Sequence, residues 1–241
     1  MDSGGRPGCD TQMQDAPLEL VGLADDVWIV NEPLSVLGMP IGHNMTVFRL
    51  ASGGLLLHSP TSHTPATRAM LAELGPIEHW VAPSRTHDLY LDDWFEGCPE
   101  AATWGAPKLR KPHPEWSFTG WLADDLQAPW LDEFEIVEIR GVPRVGEWMF
   151  LHRASRTAIT ADVIFNLGTT SRGLGGFMLN LAGIRGTARR SRLFGKMIRD
   201  REAFEGSLRR VLEWDFERLV VGHGAPIEDD PKGRLAAAWG L

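Results

Sequence analysis

Between Asp26 and Pro60 the sequence reads DVWIVNEPLSVLGMPIGHNMTVFRLASGGLLLHSP, a succession of short apolar, β-branched runs broken by Gly, Pro and Asn. Punctuation of this kind marks a meander of strands, with an ASGG turn between MTVFRL and LLLHS. TPATRAMLAELG follows, with apolar residues at helical spacing, a Thr-Pro start and a Gly stop. It runs into IEHWVAPS, a short strand closed by proline, so a right-handed β-α-β unit with parallel strands is expected here.

Beyond it, LYLDDWFEGCP reads as a short amphipathic helix, and ATWGAPKLRKPHPEWSFTG is too rich in Pro and Gly for either regular state. The segment from Ala101 to Trp130 is therefore expected to be an irregular, tryptophan-rich lid or wall over one mouth of the fold. FEIVEIRG, EWMFLHRASRTAITADVIFN and LVVGHG supply four more strands, the middle stretch being a hairpin turned at ASRT. Between Gly168 and Phe216 lies an arginine-rich region whose second half has a helical pattern. Strands, one helix, more strands, then helices and a final strand describe sheets flanked by helices. No internal repeat interrupts the pattern, so residues 18–241 are expected to form a single domain behind a disordered tail at residues 1–17.

The composition is that of an ordinary globular protein, with 43% hydrophobic and 23% charged residues among 241. A formal net charge of −8 gives no overall attraction to nucleic acid or to an anionic membrane, although local patches can run against the total. The two cysteines, Cys9 and Cys98, lack neighbours at metal-finger or redox spacing, and the first residues lack a signal-peptide pattern. These features imply a cytoplasmic protein whose partner is a small molecule, without nucleic acid or membrane.

Polar residues of one chemical type cluster where the expected strands end: His58 in LLLHSPTSH, His87 and Asp88 in VAPSRTHDLYLDDW, Asp162 in AITADVIFN, and His223 in VVGHG. Strand ends are where such sheets place ligands, and a set of His and Asp is a metal-ligand set. An aspartate inside an apolar strand is costly unless paired or coordinated, and the glycines around His223 allow either a turn or a close approach. His58 also fits a hydrogen-bonded core histidine, and His87 with Asp88 also fits a helix cap. His43, His79 and His113 read as surface or loop residues, and Arg185, Arg189, Arg190, Arg192, Arg199 and Arg201 as a solvated helix face or a greeting for an anionic substrate.

These segments, in this order, resemble the metallo-β-lactamase superfamily. FRLASGGLLLHSP is similar to its opening hairpin, IEHWVAPSRTHDLYLDDW to the strand and helix carrying its H-x-H-x-D-H motif, RTAITADVIFN to the strand of its bridging aspartate, and LVVGHGAPI to its last strand with the final histidine. The resemblance implies an α+β, four-layer αββα sandwich of two mixed sheets. The chain has no H-x-H-x-D-H: the segment offers Ser84-x-Thr86-x-Asp88-Leu89, or in another register Asp88-x-Tyr90-x-Asp92-Asp93, and IRGVPRVG has no histidine where the family's middle one is expected. The resemblance therefore implies an altered site. His87, Asp162 and His223, with Asp88 or His58, would hold one divalent metal (zinc, iron or manganese) or none, with Asp88 orienting or deprotonating water. Two functions follow: a metal-dependent hydrolase of an ester, amide or phosphoryl substrate, or a non-catalytic small-molecule-binding or protein-interaction domain that keeps the fold without the metal.

Overall fold

A computed structural model of the chain describes residues 18–241; the tail expected at residues 1–17, Cys9 included, lies outside the described residues. The strands run β1 (Glu19–Ala24), β2 (Val27–Glu32), β3 (Ser35–Val36), β4 (Met39–Pro40), β5 (His43–Arg49) and β6 (Leu55–His58), before helix α1 (Pro65–Ala72) and strand β7 (Ile77–Ala82). Helix α2 (Leu91–Gly97) and strands β8 (Ala102–Gly105), β9 (Gly120–Trp121), β10 (Phe134–Glu138), β11 (Trp148–His152) and β12 (Thr157–Thr160) follow. Helices α3 (Gly173–Ala182), α4 (Arg192–Met197) and α5 (Arg201–Glu213), strand β13 (Arg218–Val221) and helix α6 (Pro231–Trp239) complete the chain.

Seven strands form the first sheet, in the order β1-β2-β5-β6-β7-β8-β9, and four form the second, β10-β11-β12-β13. Both are mixed. The first turns from antiparallel to parallel at the β6–β7 pair, the second at β12–β13. The β-α-β unit forms as the residues dictate: Thr64 caps α1 by accepting from the Thr67 N–H, and Pro65 opens the helix where no N–H is needed.

Side-chain alternation on the second sheet explains the layering. Trp148, Phe150, Ile159 and Val220 face the first sheet and share one core with Val30, Met45 and Leu57. Met149, Leu151, Ala158, Leu219 and Val221 point the other way, onto Phe204, Leu208 and Val211 of α5 and Leu235 and Trp239 of α6. Helices α1 and α2 cover the first sheet through Leu71, Leu91 and Trp94. The result is the αββα sandwich of two mixed sheets that the resemblance implies.

The expectation for residues 101–130 needs correcting. The Pro- and Gly-rich segment begins with a regular strand, β8, paired in parallel with β7, because Ala-Thr-Trp-Gly precedes the first proline and is free to complete a ladder. Beyond Pro107 the segment winds through short 3₁₀ turns, and Trp104, Trp116 and Trp130 are buried. No helix among the described residues is long and apolar enough to cross a membrane.

Candidate metal centre

Three strand ends from both sheets meet at one point. His87 follows β7, Asp162 follows β12 and His223 follows β13, and one ligand atom from each lies within 4.8 Å of the others. His223 Nε2 stands 3.3 Å from Asp162 Oδ1, and His87 Nε2 stands 3.7 Å from Asp162 Oδ2. Two atoms each about 2.1 Å from one tetrahedral ion are about 3.4 Å apart, so both spacings suit a shared cation. Among the described residues no other group of three His, Cys, Asp or Glu side chains converges in this way.

The outer atoms of each ring fix the inner ones. His223 donates its Nδ1–H to the Gly42 carbonyl at 2.6 Å and stacks on Phe165, ring centroids 5.2 Å apart. Its Nε2 is thereby aimed at Asp162. Ser59 Oγ lies 2.5 Å from His87 Nδ1, and in the tautomer in which Nδ1–H donates to Ser59 the Nε2 carries a bare lone pair. That Nε2 is buried and has no hydrogen-bond partner among the described residues. An orphaned, buried imidazole nitrogen beside a carboxylate and a second imidazole is what a cation ligand looks like before the cation is counted, so the residues present fit a divalent metal.

Asp162 is held from two sides. Thr86 Oγ1 donates to its Oδ2 at 2.6 Å, and its backbone N–H donates to Glu147 Oε2 at 2.8 Å. Glu147, fully inside the protein, also accepts from Thr160 Oγ1 and the Ala161 N–H, at 2.5 and 2.7 Å. Burial, and behind it the Asp162 charge, pushes the Glu147 carboxyl up to about 7 in spite of those donors. Burial would raise Asp162 as well, but His223 and His87 hold its carboxyl well below the usual range. Burial works against a charged His223 too, yet the hydrogen bond and charge of Asp162 outweigh it and raise the imidazole.

The GHG sequence is explained by crowding on both sides. A Cβ at Gly222 would sit 2.5 Å from the Ala161 carbonyl oxygen and 2.6 Å from His87 Cε1, so the glycine permits close approach. Gly224 has φ +102°, a conformation that suits glycine, and a Cβ there would meet the Asn166 carbonyl at 2.2 Å. Asn44 ties this turn to the first sheet by donating to the Val221 and Gly224 carbonyls at 2.8 and 2.7 Å. Gly222→Ala is expected to cost about 2–3 kcal/mol of stability, because neither the backbone nor the His87 ring can yield freely. Urea unfolding measures this, and a cost below about 0.5 kcal/mol would show that the turn tolerates a methyl group.

Two expected site residues lie outside the cluster. His58 ends β6 with its ring against Phe150, centroids 5.0 Å apart, between the two sheets. The next residue, Ser59, adopts φ +57°, and it is Ser59 that reaches His87. Asp88 turns away to accept from His113 Nε2 at 3.0 Å, with His113 stacked on Trp116 at 3.6 Å. The reading of His43 as a surface or loop residue is overturned: it is 4% exposed, donates Nε2–H to the Ser59 carbonyl at 3.1 Å, and packs 5.0 Å from the His87 ring and 6.1 Å from that of His223. Burial, then repulsion from those two rings, holds it well below the usual histidine range, so it stays neutral. Asp162 does not pair with Arg156, whose guanidinium is taken by Asp215 and Glu217.

Sequence reasoning missed Ser59, Thr86, Glu147 and His43. Only Glu147, an acid opening the aromatic strand EWMF, carries a local signal.

Comparison with solved structures places this architecture. A metallo-beta-lactamase from Erythrobacter litoralis superposes with a TM-score of 0.66 at 15% identity, over 94% of this chain and 98% of that one. A metallo-beta-lactamase from Pseudomonas aeruginosa, in a mono-zinc form, gives 0.64 at 13% identity over 95% and 98%. One from Pontibacter korlensis gives 0.64 at 12% identity over 92% and 99%. The chain thus has the metallo-β-lactamase fold. No curated protein sequence matches it. A family model described as "Domain of unknown function (DUF4336)" matches residues 24–174, a span that holds His87, Asp162 and the β3–β4 hairpin and ends before His223. With more than half its length under that match, the chain belongs to the DUF4336 family.

Proposed function

We propose that this protein is a metal-dependent hydrolase working with one divalent ion on His87, Asp162 and His223. The observation that carries the reading is the convergence of two imidazole Nε2 atoms and a carboxylate, with the far nitrogens already committed to Ser59 and Gly42. In the register that sets Asp88 at the motif's aspartate, Ser84 and Thr86 stand where the superfamily resemblance puts the first two imidazoles, and Thr86 spends its hydroxyl on Asp162, so the ligand set supports one ion rather than two. The mono-zinc form of the Pseudomonas aeruginosa enzyme is a precedent on this fold. Zinc, iron(II) and manganese(II) all suit a His-Asp-His set.

A divalent ion there would polarise a carbonyl or phosphoryl oxygen and lower the pKa of a water. The chain's own residues do the rest. Asp162 and the two imidazoles fix one point in space, Glu147 holds the Asp162 backbone, and neutral His43 backs the two rings without adding charge. The proton that Asp162 stabilises on His223 is the one that must leave before Nε2 can ligate. A cleft of about 500 Å³ adjoins His223 through Gly42 and Gly224, between the β3–β4 hairpin and the loop at residues 166–171. Among the described residues no charged one lines it, which favours a neutral ester or amide over a phosphoryl group.

Zinc titration of chelator-treated protein tests this. One equivalent should bind, and Ser59→Ala, which frees the outer nitrogen of His87, should weaken binding about 10–100-fold. Zinc-dependent hydrolysis of nitrophenyl esters or anilides would establish the chemistry. Absence of any binding by zinc, iron(II) or manganese(II) would leave the non-catalytic binding domain as the function of this fold.

A further inference from the structure

Six of the large apolar side chains left in solvent belong to one region: Val36 and Leu37 on the β3–β4 hairpin, Leu174, Phe177 and Leu181 on α3, and Leu193 on α4. They are 42%, 83%, 75%, 63%, 57% and 65% exposed. On α3 they recur at i, i+3 and i+7, one face of the helix, while Leu179 on the other face packs with Phe165 and Ile184. The helix, GLGGFMLNLA, contains no charged residue, so it presents apolar surface both inward and outward. The hairpin leans on it, since a Cβ at Gly175 would meet Pro40 Cδ at 3.0 Å and the Gly38 carbonyl at 3.3 Å. Leu193 follows Arg192, whose guanidinium donates to the Leu181 carbonyl at 3.1 Å, which places it at the C-terminal end of α3.

Charge distinguishes this region from the rest of the chain. Residues 163–199 contain six arginines and one lysine and no Asp or Glu, in a protein whose formal net charge is −8. Among the described residues none of those seven cations takes part in an ion pair, whereas nine arginines elsewhere do. Arg172 precedes α3, Arg185 donates to the carbonyls of Thr169 and Ser171 just before it, and Arg192 closes its far end.

We propose that the α3 face and the β3–β4 hairpin form a docking surface for an anionic lipid bilayer. Exposed Leu and Phe on the outer face of α3 can enter the boundary between headgroups and acyl chains, while arginines flanking the helix and free of ion pairs meet lipid phosphate and carboxylate. A second copy of the chain fits less well: a two-fold contact through this patch would set Arg172, Arg185 and Arg192, which flank α3, against their own copies. The surface does not depend on the metal reading.

Co-sedimentation of the full chain with vesicles is the test, using phosphatidylcholine alone and phosphatidylcholine mixed with phosphatidylserine. The protein should partition onto the mixed vesicles, weakly onto the neutral ones, and come off at high salt. Removing three of the seven charges, with Arg172→Gln, Arg189→Gln and Lys196→Gln together, should reduce partition on the order of 100-fold, about fivefold per charge. Leu174→Ser with Phe177→Ser should reduce it at least about tenfold. Both variants should keep the wild-type melting temperature, since these side chains are exposed. No partition onto either vesicle, or partition that ignores both variants, overturns the proposal. So does concentration-dependent dimerisation in sedimentation velocity that the Leu174→Ser, Phe177→Ser protein loses, which would make the occupant a second copy.

Discussion

Asp162→Asn is expected to abolish metal binding, weakening zinc affinity by at least about 1,000-fold while the fold persists. The amide is nearly isosteric and its oxygen can still accept from Thr86, so the loop geometry around residue 162 has no reason to move. What disappears is the negative charge between two imidazoles. A neutral amide oxygen is a weak zinc ligand, and two nitrogens alone fall short of the three protein ligands a zinc site uses. In metal-free protein the same change removes the charge from the Asp162–His223 pair, at a cost of about 1.5–3 kcal/mol for weakening a hydrogen bond between charged groups. The two effects separate in thermal unfolding. Zinc at about 100 times its Kd should stabilise wild-type protein by about 2.7 kcal/mol and raise its Tm, and should do neither for Asp162→Asn. A variant that still binds one equivalent of zinc would remove Asp162 from the ligand set and with it the proposed centre.

Why could His87, Asp162 and His223 be picked out of the sequence when their neighbours could not? Each sits at the end of a short apolar strand, and a residue that costs free energy where it stands has to be held by something. The partners that hold them obey no local rule. Gly42 is 181 positions from His223, and Asn44 is 177 positions from the carbonyl of Val221. Such contacts exist only because β5 and β13 belong to facing sheets. His58 shows the opposite failure. LLLH is apolar on both faces, so alternation cannot say which way its last residue points, and the register with Thr46 together with the left-handed Ser59 decides it. Among the elements, β11 was legible because Trp148 and Phe150 alternate cleanly with Met149 and Leu151. Strand β8 was hidden by the Pro and Gly that follow it. Helix α6 was passed over after the final strand, although Asp230 caps it, Pro231 starts it and Gly240 ends it.

Acid should unfold this protein through a histidine that lies outside the His87–Asp162–His223 cluster. His58 is 2% exposed, its Nε2 has no hydrogen-bond partner among the described residues, and burial lowers its pKa from 6.5 to about 3. The folded state therefore holds this ring neutral while the unfolded chain protonates it. Its contribution to stability is complete above about pH 6.5 and is lost as the pH falls toward 3, for a total of up to about 5 kcal/mol. His43 and His152 are lowered as well, His152 to about 4, and act in the same direction. Carboxylates titrate over part of this range, so the His58 share has to be read as a difference. His58→Leu replaces the ring with an apolar side chain of similar volume against Phe150, and at pH 7 it should lie within about 1.5 kcal/mol of wild type. Lowering the pH to about 5 should shift the comparison by about 2 kcal/mol in favour of the variant, which has no proton to take up. Urea unfolding of chelator-treated protein at the two pH values makes the measurement. If the wild-type and His58→Leu stabilities move together with pH, the ring is reached by water or protonated in the folded state, and the acid sensitivity belongs to His43 and its neighbours instead.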